Sequence, residues 1–333
     1  MNIGLLDVGA GKFPNLPLMK ISAWHKSQGD SVEFVETPIK HYDRVYVSKV
    51  FGDEYMEMLD TFCNADEIIY GGTGFAISVE DGKEVFHKDK HSNLPTEIEH
   101  IYPDYSLYPE LTKNKAYGFL TRGCPNNCDF CIVSKKEGMV STKVADLCEW
   151  WDGQKNIILL DPNILACLDR KELLQQLINS GAWVEFNQGL DARFITPEIA
   201  ELLAQIKTKM WHFAFDFMKN EDRIIAGLQT FVDIVKPEPR KAVVYMLTNF
   251  DTTFAEDWYR LTKIQELGLT PDVRIYRKAS LPRRHILRDL QIWCNNRFFY
   301  QSGDFWDFVP RIDCKTMRNT WAEQYALIKE DAR

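Results

Sequence analysis

Nowhere in its 333 residues does the chain carry a run close to the eighteen or so continuous apolar residues that a membrane-spanning helix needs. The opening residues Met1-Asn2-Ile3-Gly4-Leu5-Leu6-Asp7 lack the basic flank and apolar core of a signal peptide. Both absences lead us to expect a soluble, cytoplasmic protein with no membrane partner. Basic charge is also scarce: 40 Lys and Arg face 48 Asp and Glu, a formal net charge of -8. Bulk charge therefore does not recruit nucleic acid, because non-specific binding rests on neutralised phosphates. A disulfide framework is excluded by the cysteine usage, eight in a chain of this length with three crowded together, which argues for a reducing compartment. What is plentiful is apolar surface, 45% of residues, enough to fill the cores of two domains.

One stretch stands out. Thr121-Arg122-Gly123-Cys124-Pro125-Asn126-Asn127-Cys128-Asp129-Phe130-Cys131 sets three cysteines at C-x3-C-x2-C spacing among Pro, Asn and Gly. Cysteines without a ligand role do not normally crowd such a turn, which is a poor place to bury a small apolar side chain. Three thiolates can hold three corners of a 4Fe-4S cube and leave one iron without a protein ligand, a position open to chemistry. The alternative is structural zinc, which needs a fourth Cys or His, usually in a paired arm. Cys148 is the nearest candidate and stands alone.

The spacing, with Phe130 directly before the third cysteine, resembles the signature of the radical S-adenosylmethionine (SAM) superfamily. The resemblance implies a 4Fe-4S cluster on Cys124, Cys128 and Cys131, with SAM chelated at the open iron through its amino and carboxylate groups. It further implies reductive cleavage of SAM to a 5'-deoxyadenosyl radical, and an electron donor such as flavodoxin or ferredoxin.

Taken in order, Ile3, Leu5 and Leu6 read as a strand ending at Gly9-Ala10-Gly11, and Leu16 to Lys26 as a helix. Val32 to Val35, Arg44 to Ser48 and Glu67 to Tyr70 read as further strands, the last entering Gly71-Gly72-Thr73-Gly74. The alternation predicts a small parallel, Rossmann-like α/β domain over residues 1–100, with both glycine runs at strand C-terminal ends and read as tight turns. Standing before the cysteine loop, this domain resembles a cobalamin-binding domain. The D-x-H-x-x-G cobalt motif is absent, and Ala23 and Gln28 take the Asp and Gly places around His25. Cobalamin is thus not favoured. Residues 101–115, with Pro103-Asp104-Tyr105-Ser106-Leu107-Tyr108-Pro109, read as an extended linker.

From Ala116 to Lys278 apolar strands and helical patterns alternate. Strands over Ala116–Thr121, Asn156–Asn163, Trp183–Gln188, Trp211–Asp216, Ala242–Leu247 and Val273–Tyr276 predict a partial (β/α)6 radical-SAM barrel over residues 116–278. Helices are expected over Val144–Trp151, Leu173–Ile178 and after the capping Thr196-Pro197. Parallel barrels place their chemistry at strand C-terminal ends. There the resemblance assigns Asp161 and Asn163 to the SAM ammonium, and Gln188, Asp191 and Arg193 to its carboxylate and ribose. Asp216 falls to the ribose, and Leu247 and Asn249 to the adenine; Phe130 completes the cofactor-binding set. Residues 279–333 are read as a helical cap: Ile286, Leu287, Leu290, Ile292 and Trp293 make an apolar stripe. The ten Lys and Arg against five Asp and Glu between Pro271 and Arg318, interleaved with aromatics, give a weaker reading as a nucleic-acid surface.

The function expected is radical initiation by SAM cleavage, with the substrate unspecified. Two alternatives are a cobalamin-dependent radical SAM methyltransferase and a non-catalytic metal-binding module for nucleic acid. A methylthiotransferase fits less well, since neither a second cluster motif nor an appended RNA-binding domain is evident.

Overall fold

Ile3 and Leu5 alternate with Gly4 at the start of the chain, and this period of two produces β1 (Asn2–Val8) with both side chains wholly buried. In the computed structural model, which describes residues 1–8, 12–37, 39–51, 64–80, 83–90, 93–283, 285–296, 303–307, 326 and 328–331, β1 is the inner strand of the first sheet. The Asn15 side chain accepts the Leu18 N–H and Pro17 occupies the first turn, so α1 (Leu16–Ser27) begins where its unpaired N–H groups are best served. Then come β2 (Ser31–Phe34), β3 (His41–Lys49) and β4 (Asn64–Gly71), all parallel, in the order β2-β1-β3-β4. Ile3 and Leu5 pack on Leu18 and Ile21 of α1 and on Ile98. Each such buried side chain contributes about 1.5–3 kcal/mol. Tyr42, Val45 and Val47 pack with Leu6, Ile68 and Phe75 in a second cluster.

An antiparallel hairpin, β5 (Ile77–Glu80) and β6 (Lys83–Phe86), leads to the one-turn helix α2 (Thr96–Glu99). The expected extended linker is instead a 3-10 turn at Tyr105–Leu107 followed by α3 (Pro109–Thr112). Hydroxyls explain the difference. Tyr105 Oη donates to the Trp150 carbonyl at 2.6 Å, Tyr108 Oη to Asp7 at 2.6 Å and Ser22 Oγ to Asp104 at 2.6 Å, so the segment is bonded down at close intervals.

β7 (Lys115–Gly118) enters the second sheet, and β8 (Thr121–Arg122) opens the cysteine loop. That loop contains α4 (Val133–Glu137) and closes on β9 (Thr142–Lys143), antiparallel to β8. The helix expected over Val144–Trp151 is only a 3-10 turn at Leu147–Glu149. Trp150 departs from helical backbone and lays its ring on Gly118, where an added Cβ would meet it at 2.3 Å. β10 (Asn156–Leu159), α5 (Arg170–Ser180) and β11 (Trp183–Phe186) complete a parallel sheet of order β11-β10-β7. All of this belongs to one compact unit, Met1–Asn187.

The second unit, Gln188–Arg333, begins with a 3-10 turn at Ala192–Phe194. α6 (Pro197–Leu203) is capped by Thr196 as the sequence predicts. β12 (Trp211–Ala214), α7 (Glu221–Val235), β13 (Ala242–Thr248), α8 (Phe254–Glu266) and β14 (Thr270–Ile275) build a parallel sheet of order β12-β13-β14, and α9 (Ile286–Asn295) follows. Ile286, Leu287, Leu290 and Trp293 of α9 are buried, but Ile292, expected in the same stripe, is 47% exposed. The Val273 N–H donates to Asn295 at 2.8 Å and Gln291 donates to the Val273 carbonyl at 2.8 Å, so α9 covers the edge strand β14. The chain is thus a mixed α/β protein with parallel sheets. Among the described residues no helix is long and apolar enough to cross a membrane. Gly9-Ala10-Gly11, most of the aromatic-basic stretch from Arg297 onward and most of the residues after 307 lie outside the described residues.

Candidate metal and cofactor site

The cysteine loop is shaped by its own backbone. Gly123, at φ 88°, takes a conformation that L side chains rarely adopt, and a Cβ there would meet the Val140 carbonyl oxygen at 2.1 Å. The Cys124 N–H donates to the Gly138 carbonyl at 3.1 Å, the Gly123 N–H to Glu137 Oε2 at 3.3 Å, and the Cys131 N–H to the Cys128 carbonyl at 2.9 Å. Asn127, in the left-handed region at φ 40°, accepts from Ser134 Oγ at 3.0 Å. Cys124, Cys128 and Cys131 are in no disulfide, each neither fully buried nor fully exposed, with Phe130 partly buried beside them. Soft sulfur donors at accessible positions in one loop suit a thiolate-held group.

Ligands of a single ion lie close together, since Zn–S bonds of about 2.3 Å place tetrahedral thiolates roughly 3.8 Å apart. Among the described residues the set of Cys, His and acidic donors within 4.8 Å of one another is His41, Asp43 and Asp66, and the three loop thiols do not form such a set.

The end of β10 serves this loop directly. Asp161, 4% exposed, accepts the Leu120 N–H at 3.1 and 3.2 Å, the Thr121 N–H at 2.6 Å and Thr121 Oγ1 at 2.6 Å. Burial nevertheless pushes its carboxyl up to about 6, against the pull of these donors. Both oxygens face the root of the loop, so Asp161, expected from sequence at the SAM ammonium, holds the backbone where the loop begins. Asn163 is 3% exposed; its Nδ2 donates to Cys124 Sγ at 3.7 Å and its Oδ1 accepts the Ala166 N–H at 3.3 Å. It is a donor to the Cys124 sulfur, a contact that its residue type alone did not reveal.

Charged groups brace the loop from outside. Arg122 lies over the Phe119 ring at 3.8 Å and pairs with Glu137 at 3.1 Å and Glu99 at 3.5 Å. Lys136 pairs with Glu137 at 3.2 Å, and Lys20 with Glu99 at 2.9 Å. Burial works to raise the Glu137 carboxyl, but the Lys136 and Arg122 charges and the Gly123 amide hold it below the usual carboxylate range. Of the two lysines after the cysteines, read from sequence chiefly as part of a solvated loop, Lys136 belongs to this partly buried network and Lys135 is exposed.

In the second unit the remaining predicted residues stand at their strand ends. Gln188 is exposed. Arg193 reaches Asp191 with two parallel bonds, 2.8 and 2.7 Å, so its planar fork is engaged within its own turn. Asp216 accepts the Leu247 N–H at 2.9 Å, with its carboxyl raised by burial. Asn249, at φ 62°, donates to the Tyr276 carbonyl at 2.9 Å. These bonds tie together the C-terminal ends of β12, β13 and β14. The sequence reading missed the group beneath them: Arg260 of α8, wholly buried, donates to the carbonyls of Phe215 and of Leu247, the latter at 2.8 Å, and to Asp257 at 2.5 Å. Two opposite charges three apart on an apolar helix face were the available signal.

His25, nearest to the cobalt-ligand position, is 1% exposed and bonded to Asp30 at 2.6 Å and Tyr46 at 3.0 Å, a structural histidine. Comparison with protein-family models and with curated proteins returns no match.

Proposed function

We propose that this chain is a radical SAM enzyme whose catalytic core is a partial (β/α)6 barrel, closed by the C-terminal helical segment. A 4Fe-4S cluster on Cys124, Cys128 and Cys131 would supply one electron to bound SAM, breaking its sulfur–C5' bond to give methionine and a 5'-deoxyadenosyl radical that takes hydrogen from the substrate. The observation that carries the reading is the loop itself: three cysteines outside any disulfide, at C-x3-C-x2-C spacing, on a backbone fixed at its base. Asp161 fixes where the loop leaves the sheet, and Asn163 directs an amide N–H at Cys124. Phe130 shields the third cysteine, and Asp216, Leu247 and Asn249 offer a strand-end surface to the nucleoside. Gln188, Asp191 and Arg193 are polar groups for the amino-acid end of SAM, Arg193 by exchanging its partner.

The test is anaerobic reconstitution with iron and sulfide, reduction with dithionite, and assay of SAM for 5'-deoxyadenosine, beside a Cys124→Ala/Cys128→Ala/Cys131→Ala control. The expected result is product from the wild-type chain and none from the control. Zinc in protein purified without reconstitution, together with no SAM cleavage, would sink the proposal and favour the metal-binding module.

A further inference from the structure

The first unit holds a cavity of about 370 Å³, within the range of small-molecule sites, to which the cysteine loop contributes Arg122 and Lys136 but none of its cysteines. Its position is informative. In the order β2-β1-β3-β4 the connections leave β1 and β3 in opposite directions, which makes their junction the switch point of the sheet, and ligands of open parallel sheets settle at the C-terminal ends there. Ser48 and Val50 near the end of β3, Gly71 and Gly72 at the end of β4, and Pro14 and Pro17 beside the β1–α1 connection all line the cavity. Gly72 is required: at φ 99° its Cβ would meet the Lys49 carbonyl oxygen at 2.2 Å. Gly71 and Gly72, read from sequence as part of a tight turn, are thus also cavity wall.

The lining has two characters. Leu16, Ile21, Val47, Ile69, Ile98 and Leu160 give it an apolar body. Lys20, Glu99, Arg122 and Lys136 also line it and are joined through the ion pairs described above. Among the described residues three cations, Lys20, Arg122 and Lys136, share the two carboxylates of Glu99 and Glu137. Glu149, also near Lys20, is engaged by His100 at 2.8 Å and by the Asp146 N–H at 2.8 Å. Burial first, and the neighbouring Arg122 charge as well, pull both lysines below the usual range, so an incoming anion would relieve both. Arg122, stacked on Phe119, presents a planar fork suited to a carboxylate or phosphate.

We propose that this cavity binds a small molecule with an apolar, ring-sized body and one terminal acidic group, carboxylate or phosphate, which pairs with Lys20, Arg122 and Lys136. None of the cysteines lines the site, so its test uses the full-length chain without SAM or reductant, and its failure is separate from failure of SAM cleavage.

The probes are two matched pairs, 1-naphthaleneacetate against 1-naphthaleneacetamide and 1-naphthyl phosphate against 1-naphthol, titrated by calorimetry. At least one acidic probe should bind one per chain and at least tenfold tighter than its neutral twin, about what a charge-assisted contact supplies. Whichever acid is preferred identifies the headgroup. Lys20→Gln and Arg122→Gln should each weaken that acid roughly tenfold and leave the neutral twin unchanged. Leu160→Trp, which fills the cavity, should abolish binding of both. Equal affinity within both pairs, no binding of any probe, or full binding to a folded Leu160→Trp chain would overturn the proposal. The wild-type comparison of acid with neutral twin stands even where a variant fails to fold.

Discussion

Asp161 shows how one side chain acquires a function that its type only half announces. An acid whose carboxyl is raised in the fold binds its proton more tightly there than in the unfolded chain, so its contribution to stability is greatest at low pH and falls as pH rises. With the folded value at about 6 against an ordinary 3.8, about 3 kcal/mol should be lost between roughly pH 4 and pH 6, with no further change from this group above that window. Urea denaturation of wild type and Asp161→Asn at several pH values measures this as the difference between the two curves. A difference that does not change with pH would mean the carboxyl is not perturbed. Asn163 makes a second prediction at this scale. An N–H donated to a ligand sulfur favours the more negative, reduced cluster, so for the cluster proposed above Asn163→Leu should lower the midpoint potential by roughly 20–60 mV, the equivalent of one hydrogen bond. A redox titration followed by electron paramagnetic resonance reads it; an unchanged potential would leave Asn163 as a simple turn cap.

Among the elements, the parallel strands were legible because Ile157-Ile158-Leu159 is apolar enough to be buried from both sides, and Val243-Val244-Tyr245-Met246 is apolar throughout with Val244 and Met246 buried and the other two partly so. The Thr196-Pro197 start of α6 was legible for a different reason, that capping is local chemistry. The turn at Leu147–Glu149 and the bonded segment around Tyr105 were not, since Trp150 lying on Gly118 and Tyr105 reaching Trp150 are contacts between residues 32 and 45 apart in the chain. The site shows the same division: cysteine spacing can be read, whereas the partners of Asp161, 40 and 41 residues earlier in the chain, come from the fold. Gly227 of α7 gives an element-scale prediction. A Cβ at this position would meet the Ala192 carbonyl oxygen at 1.9 Å, so Gly227→Ala must push α7 away from the Asp191–Arg193 turn. A loss of about 1–3 kcal/mol in chemical denaturation is expected; a neutral substitution would show that the helix has room to shift.

The molecule as a whole consists of two units with separate polar cores, Asp161 with Thr121 in one and Asp257 with Arg260 in the other. Removing one partner of a buried pair leaves an uncompensated charge, so Arg260→Met should cost about 3–5 kcal/mol. Combined with Asp161→Asn, the two losses should add to within about 0.5 kcal/mol in equilibrium unfolding, because the groups share no partner. A larger deviation would reveal coupling between the units. The cysteine loop carries one more consequence, for the order of events in the cell. Its ends are fastened by Cys124 to Gly138 and by Gly123 to Glu137, contacts made entirely of polypeptide. Small metal domains that use the ion to fold are coils without it. On the proposed reading the receptacle would precede its contents: a loop fastened by its own polypeptide would fold first and wait for inorganic delivery, and oxidative loss of the cluster would leave a vessel ready for refilling.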